Sequence, residues 1–468
     1  MAFITVFTHN IYSSKPSVYA KEKTVVQEQS KIKNDSDYTE DFLELQQEYI
    51  EEIELYSDRY IIMNEDGSDI KEDSLIDTAK DAYDDGAENK KKREDQWKTK
   101  LRKADAQNYK QWNEAQESMK ENDKNNGSKE TVYLEELSEE QNNTGVLIVE
   151  EAIEPQDFIE SMEEELQDSG AIIQPDYKFE LASVVEETDF EKEIFTSEEV
   201  VYTSQPEFEK AWDVSTGNGI TIAVIDTGID ISHPEIKDHI VEGYNFCDNT
   251  TDVFDEEDAM SQVHGTHIAG IIAKAAPNAK IMPLQVFDHG EAYTSNIIRA
   301  IEYAKEHGAD IVNMSFGSSE GNPVLEQAMK SSDMFFVCAA GNGRKNISED
   351  QVYPASYALD NSISVGAVIP DGNMAYFSNY GEAVDIAALG KNIKSTFPDG
   401  SYGTMSGTSM SAAYVSAAAA LTASVTGTEE LKAALINGAD HLSCLNGKIA
   451  NGNRLNVINA VKRFDQTE

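Results

Sequence analysis

One stretch constrains the chain more than any other: Gly407-Thr408-Ser409-Met410-Ser411, which runs straight into the alanine-rich segment Ala412 to Ala423. Alanine, leucine and methionine favour the helix, so the segment predicts a buried helix with Ser409 at or just inside its N-terminus. Backbone N–H groups and the positive end of the helix dipole gather there, which makes the position suitable for an attacking oxygen.

A serine hydroxyl is a poor nucleophile at its free pKa and needs a base, and the base needs something to orient it. The run Ile220-Thr221-Ile222-Ala223-Val224-Ile225 reads as a buried strand that delivers Asp226 to its C-terminal edge, followed by Thr227-Gly228. Between this strand and Ser409, His264-Gly265-Thr266-His267 opens a second small-residue helix over Ile268 to Ala276. One base suffices, so His264 is the candidate and His267 reads as structural. Each residue alone has a plainer reading: Asp226 as a strand-end turn former, Asn342 as a turn residue after Gly341. The constellation outweighs them.

Taken together, IDTGID at 225–230, HGTHIAG at 264–270 and GTSMS at 407–411, in the chain order Asp, His, Ser, make residues from about 200 to 465 resemble the subtilisin (S8) family of serine endopeptidases. The segments Asn313-Met314-Ser315-Phe316-Gly317 and Ala339-Ala340-Gly341-Asn342 fit the same resemblance. It implies a catalytic triad of Asp226, His264 and Ser409, and an oxyanion donor at Asn342 working with the Ser409 backbone N–H. It also implies that Ser315, Phe316 and Gly317 form an edge strand for the substrate backbone, with Gly317 leaving room for the chain and Phe316 walling the first pocket. Arg344 and Lys345 would border that pocket and attract an acidic residue before the cut; the plainer reading is two solvated cations. The expected fold is a mostly parallel sheet with helices on both faces, since buried strands at 220–225, 281–286, 311–314, 335–339 and 363–368 alternate with helical segments.

The chain departs from the family in three places. Ala413-Tyr414 stands where many subtilisins carry proline and histidine, and Ala388-Leu389-Gly390 replaces a small-proline-glycine. The helix from His264 continues through Ala275 to Ala279 without the loop that binds calcium in many secreted members, and Glu235 stands where an aspartate ligand is common. No metal or other cofactor is expected.

Of the 468 residues, 86 are acidic and 38 basic, and the net charge of −48 argues against nucleic acid or an anionic membrane as partner. The excess is uneven, with 52 acidic residues before position 201 against 22 basic ones. No apolar run reaches a membrane span. Cys247, Cys338 and Cys444 are too scattered for a disulfide framework or a zinc site. Ala2 to Phe7 is apolar and Ser17-Val18-Tyr19-Ala20 resembles a signal-peptidase site, so residues 1–20 are expected to be a truncated signal peptide and the protein secreted or held at the cell surface.

The remaining organisation is expected as follows. Residues 21–57 form an acidic segment with a modest amphipathic helix around Phe42 to Leu55. Residues 58–183 carry strands at 59–63, 131–134, 145–149 and 171–179 and a helix at 158–166, interrupted by a charged, polar stretch at 70–129 that reads as an insertion or a solvated helix. This order is similar to the ferredoxin-like α+β inhibitor prodomain preceding many subtilisins. Residues 184–203 are an acidic connector where a zymogen would be cut, and 204–468 are the peptidase domain. The partners so implied are peptide or protein substrates and the chain's own prodomain, acting on a monomer. Within the enzyme class, broad proteolysis and dedicated removal of leader peptides are both open; a silent binding protein on the same fold is the third reading.

Overall fold

The computed structural model describes residues 57–64, 72–104, 132–136, 144–166, 171–181, 183–184 and 205–462, together with single positions 45, 106 and 110. The expected signal peptide, the amphipathic helix within 21–57 and residues 185–203 of the connector lie outside the described residues, Leu45 apart. The chain divides into two units, Met1–Asp176 and Tyr177–Glu468.

In the first unit, β1 (Ser57–Asn64) lies between β3 (Thr144–Ile153) and β4 (Ala171–Pro175), antiparallel to both, and β2 (Val132–Glu136) pairs with β3. Helix α1 (Glu72–Ala104) follows β1 and α2 (Pro155–Leu166) follows β3, which gives a βαββαβ, ferredoxin-like order. The period of two along β1 turns Tyr60 and Ile62 to one face, where they pack with Leu75, Ala79, Leu147, Phe158 and Met162. Part of the stretch expected as an insertion is this unit's first helix. Leu75, Ala79, Ala82, Tyr83, Trp97 and Leu101 recur at helical spacing and are buried, and the charged cluster around Lys91 to Asp95 is carried between them. Arg93 of α1 pairs with Asp157 of α2 at 3.0 Å.

The strand expected over 171–179 is broken. At Asp176 the backbone N–H donates to the Arg59 carbonyl and the carboxylate accepts from Arg59 Nε at 3.0 Å, which ends the first sheet. The next strand, β5 (Lys178–Leu181), belongs to a sheet of the second unit.

The second unit is built on β7 (Thr221–Asp226), β8 (Tyr244–Asn245), β9 (Lys280–Gln285), β11 (Ile311–Met314), β13 (Phe335–Ala339), β14 (Ser362–Val368), β15 (Ile386–Leu389), β18 (Asp440–His441) and β19 (Asn453–Arg454). Their order is β18-β19-β15-β14-β13-β11-β7-β9-β8, parallel except for the β18–β19 edge. Successive strands leave β7 toward β9 on one side and then return to run β11, β13, β14, β15 on the other. The C-terminal end of β7 is therefore a topological switch point, where open α/β sheets form their clefts, and Asp226 sits on it.

On one face, α4 (Val263–Ala275) packs against α7 (Thr408–Thr426), and both meet Ile222, Val224 and Val337 of the sheet. Every α7 residue from Thr408 to Ala423 is buried, so alanine is what allows neighbours on all sides of it to approach. The helix runs unbroken through Ala413-Tyr414, and the Tyr414 ring lies 5.7 Å from Phe208. Helices α5 (Thr294–Glu306) and α6 (Pro323–Lys330) pack on each other and cover the opposite face.

The approach of α4 to the end of β7 depends on one missing side chain. A Cβ at Gly265 would lie 2.2 Å from the Gly228 carbonyl oxygen, a backbone atom that cannot step aside. Gly265→Ala is accordingly expected to lower the unfolding free energy by roughly 1–3 kcal/mol, read as a lower denaturant midpoint at unchanged m-value. An unaltered midpoint would show that α4 can withdraw at no cost.

Candidate active site

Asp226 reaches the switch point fully buried. Its Oδ1 accepts from the Thr227 N–H at 2.8 Å and from His264 Nδ1 at 2.7 Å, with Oδ2 3.0 Å from the same nitrogen. The Gly265 N–H donates to Thr227 Oγ1 at 3.1 Å, so the first turn of α4 is tied to the residue after Asp226 and cannot swing the imidazole away. With Nδ1 donating to a carboxylate, the neutral ring presents Nε2 as its acceptor. That Nε2 is buried and has no hydrogen-bond partner in this structure.

Ser409 is the second residue of α7 and is also fully buried. Its hydroxyl donates to the Ser315 carbonyl at 3.2 Å, and Ser315 Oγ donates in return to the Ser409 carbonyl at 3.3 Å. Behind this pair, Asn313 Nδ2 donates to Ser315 Oγ at 2.8 Å, and Ser416 Oγ donates to Asn313 Oδ1 at 3.0 Å. Two buried polar residues thus lock the end of β11 onto the first three turns of α7. The structure brings Asp226 and His264 into contact and sets Ser409 on Ser315; it records no hydrogen bond between Ser409 and His264.

Asn342 is oriented by the same helix start. Its Oδ1 accepts from Thr408 N at 3.0 Å and from Thr408 Oγ1 at 3.2 Å, which turns Nδ2 away from Thr408. Thr408 Oγ1 in turn accepts from the Gly341 N–H at 3.1 Å. Gly341 has φ +94°, and a Cβ there would come within 2.6 Å of Asn379 Nδ2. Asn379 holds the loop from both sides, donating from Nδ2 to Ala340 O at 2.7 Å and accepting at Oδ1 from Lys345 N at 2.8 Å. Arg344 lies with its guanidinium 4.7 Å from the Tyr376 ring centroid.

Beside this cluster, β12 (Phe316–Gly317) is an edge strand, and it is already paired. Strand β5 runs antiparallel to it, with Leu181 opposite Phe316 and Glu180 opposite Gly317. On its other side β5 pairs antiparallel with β10 (Glu291–Tyr293), so that residues 178–181 form the middle strand of three. The chain then pairs as β6 (Ser183–Val184) with β17 (Ser401–Gly407), Ser183 opposite Gly407 and Val184 opposite Ser406. Gly407 is two residues before Ser409. Phe316 turns its ring to Phe179, 5.6 Å away and edge-on, and to Phe287 at 5.3 Å. Val352 packs beside Gly317: a Cβ at Gly317 would lie 2.8 Å from Val352 Cγ1, and one at Gly341 3.6 Å from it.

Residues 217–459, just over half of the chain, match the family model for the subtilase family, Peptidase_S8. The chain belongs to the subtilase family. The chain is 35% identical to thermitase of Thermoactinomyces vulgaris over 268 residues, covering 54% of this chain and 92% of that protein. It is 40% identical to a thermophilic serine proteinase of Bacillus sp. (strain AK1) over 267 residues, 54% of this chain and 64% of that one, a little under two thirds of its length. It is also 40% identical to the major intracellular serine protease of Bacillus subtilis (strain 168) over 223 residues, 44% of this chain and 68% of that protein. The subtilases compared are serine-type endopeptidases, and so is this chain by its family. Among the described residues no helix is long and apolar enough to cross a membrane. The Glu235 carboxylate accepts a hydrogen bond from Tyr402 Oη at 2.8 Å.

Several residues that shape the site carry no sequence signal of their own. Thr408 and Asn379 act through bonds to segments 34 to 67 residues away, and Val352 enters through van der Waals contact alone. The Asn313–Ser416 pair could have been suspected, since both are polar residues inside apolar runs.

His267 lies fully buried one turn along α4 from His264, with Nε2 2.9 Å from the Ile393 carbonyl. Burial pulls its pKa down to about 3, against a smaller opposing effect of that hydrogen bond. The folded subtilase keeps this imidazole neutral while the unfolded chain takes up a proton below about pH 6.5, so the unfolded state binds more protons and stability drops as the pH is lowered through this window. His267→Gln, which retains a donor, is expected to flatten the decline in unfolding free energy between pH 6.5 and 3 relative to wild type. Parallel pH profiles for the two proteins would show that His267 does not titrate on unfolding.

Proposed function

We propose that the protein hydrolyses peptide bonds through Ser409, His264 and Asp226, and that it is made as a zymogen whose own segment 178–184 occupies the substrate groove. The observation that carries the reading is the course of that segment. It pairs with β12 up to Leu181, opposite Phe316, and with β17 from Ser183, opposite Gly407, so the nucleophile's helix begins where the two pairings meet.

In the reaction, the Ser409 hydroxyl turns from the Ser315 carbonyl to His264 Nε2 and attacks the carbonyl carbon of the scissile bond. The proton passes to Nε2, and Asp226 fixes the tautomer and stabilises the imidazolium. The C–N bond then breaks, the Nε2 proton leaves with the amine, and water repeats the sequence on the acyl-enzyme. Asn342 Nδ2, turned outward by Thr408, together with the Ser409 N–H at the helix start, receives the oxyanion. Asn342→Ala is expected to lower kcat by about 10²–10³ with KM nearly unchanged, a magnitude taken over from subtilisin. A loss confined to KM would remove Asn342 from the transition state.

Leu181 and Ser183 bracket a single residue, so the self-cleavage we propose is the Ala182–Ser183 bond. The first unit, Met1–Asp176, would then remain with residues 177–182 as an inhibitor after the cut. Purified wild type is expected to yield a new N-terminus at Ser183, and Ser409→Ala to remain full length. Processing of purified Ser409→Ala, or a first cut away from Ala182, would sink the account. Export rests on Ala2 to Phe7 and Ser17 to Ala20 alone, and the distribution of antigen between culture fluid and cytosol tests it. Broad and leader-specific proteolysis are separated by the peptide library profile of the processed enzyme.

A further inference from the structure

The segment in the groove is held by more than its backbone. Successive side chains of a strand point to opposite faces, so Phe179 and Leu181 share one face of β5, and Lys178 and Glu180 share the other. Phe179 is fully buried against Phe316. On the opposite face the Lys178 ammonium lies 2.6 Å from Glu291 Oε2 and 5.2 Å from the Tyr293 ring centroid. The register puts Tyr293 directly across from Lys178 and Glu291 directly across from Glu180. Glu291 therefore meets Lys178 on the diagonal and shares its face with a like charge straight across, an arrangement that costs free energy in an antiparallel pair unless a cation bridges it. Lys178 supplies the cation that meets Glu291.

We propose that Glu291 is a specificity-determining residue, selecting a basic side chain at the fifth residue before the cleaved bond, with Tyr293 contributing its ring face, and disfavouring an acidic one at the third. The proposal rests on the reading that residues 178–181 lie in the groove as a substrate does, with the cut after Ala182. The carboxylate stands on the wall strand β10, outside the Asp226–His264–Ser409 cluster, so it acts on which peptide is held and takes no part in bond breaking. The preferred substrate class is a peptide with lysine or arginine four residues, and an aromatic residue three residues, upstream of a small residue at the cut. Lys178 is about a third exposed and Glu291 about half. Solvent screening keeps the selection modest, roughly threefold for an exposed ion pair with an added cation–π contact.

The test uses the enzyme processed from the full-length chain and separated from the released residues 1–182, with synthetic peptides spanning residues 176–187 in which Lys178 is kept or replaced by Met or by Glu. Mass spectrometry locates the cut and initial rates give kcat/KM. Wild type is expected to cleave between Ala182 and Ser183 in all three peptides and to favour Lys over Met about threefold and over Glu by more, with the ratios shrinking as salt is raised. Glu291→Gln should bring the Lys/Met ratio close to one, and Glu291→Lys should reverse the Lys/Glu order. A structural role for Glu291 would lower all rates together and leave the ratios intact, which overturns the proposal. Equal rates for the three peptides in wild type, with the cut at Ala182–Ser183, overturn it while sparing the zymogen reading. Cleavage at another bond overturns both.

Discussion

Everything at the site hangs on the closeness of two helix starts to the C-terminal edge of one sheet. The first turn of α4 approaches the end of β7 until the Gly228 carbonyl fills the space a side chain at Gly265 would need, and Thr227 and Gly265 are hydrogen-bonded across the gap. That contact sets the His264 ring against Asp226 at 2.7 Å. The start of α7 is fixed from the other side, by Ser315 and Asn313 at the end of β11 and by Asn342 and Gly341 through Thr408. A base and a nucleophile supplied by separate elements keep their geometry only if both elements are immobile, and here each is anchored in fully buried hydrogen bonds whose loss is costly.

The alanine composition of α7 is the packing counterpart of this arrangement. A helix surrounded by α4, the parallel strands and α8 (Leu431–Gly438) can be close-packed on all sides only if its own side chains are small. Ser409 is thereby placed at the start of a helix buried from Thr408 to Ala423, where the N–H groups of the first turn favour negative charge.

Occupation of the groove follows from the edge it leaves. Strand β12 has a partner on one side only through the chain's own residues 178–181, and an exposed strand edge flanked by β10 accepts almost any extended backbone. Main-chain pairing holds residues 178–181 in place, while Phe179 and Lys178 make contacts on the two opposite faces of β5. The first sheet ends at Asp176, whose carboxylate pairs with Arg59, and the next strand, β5, belongs to the second unit.

The residues Asp226, His264 and Ser409 were legible from sequence because each sits at a local boundary that composition marks: an apolar strand ending in Asp-Thr-Gly, and small-residue helices beginning at His264-Gly265 and Thr408-Ser409. The parallel sheet was legible for the same reason, as fully buried strands read as unbroken apolar runs. The first unit was only partly so, since in α1 the buried positions are four or so residues apart among charges and the period is diluted by Lys90 to Asp95. Tertiary structure alone decided which way Asn342 faces, that Phe316 meets Phe179, that Val352 fills the space beside Gly317, and that the strand after Ile173 breaks to place Lys178–Leu181 in a different sheet. Each of those depends on groups tens to hundreds of residues apart, and a one-dimensional pattern carries the period of an element and its ends but not the partner against which its faces come to rest.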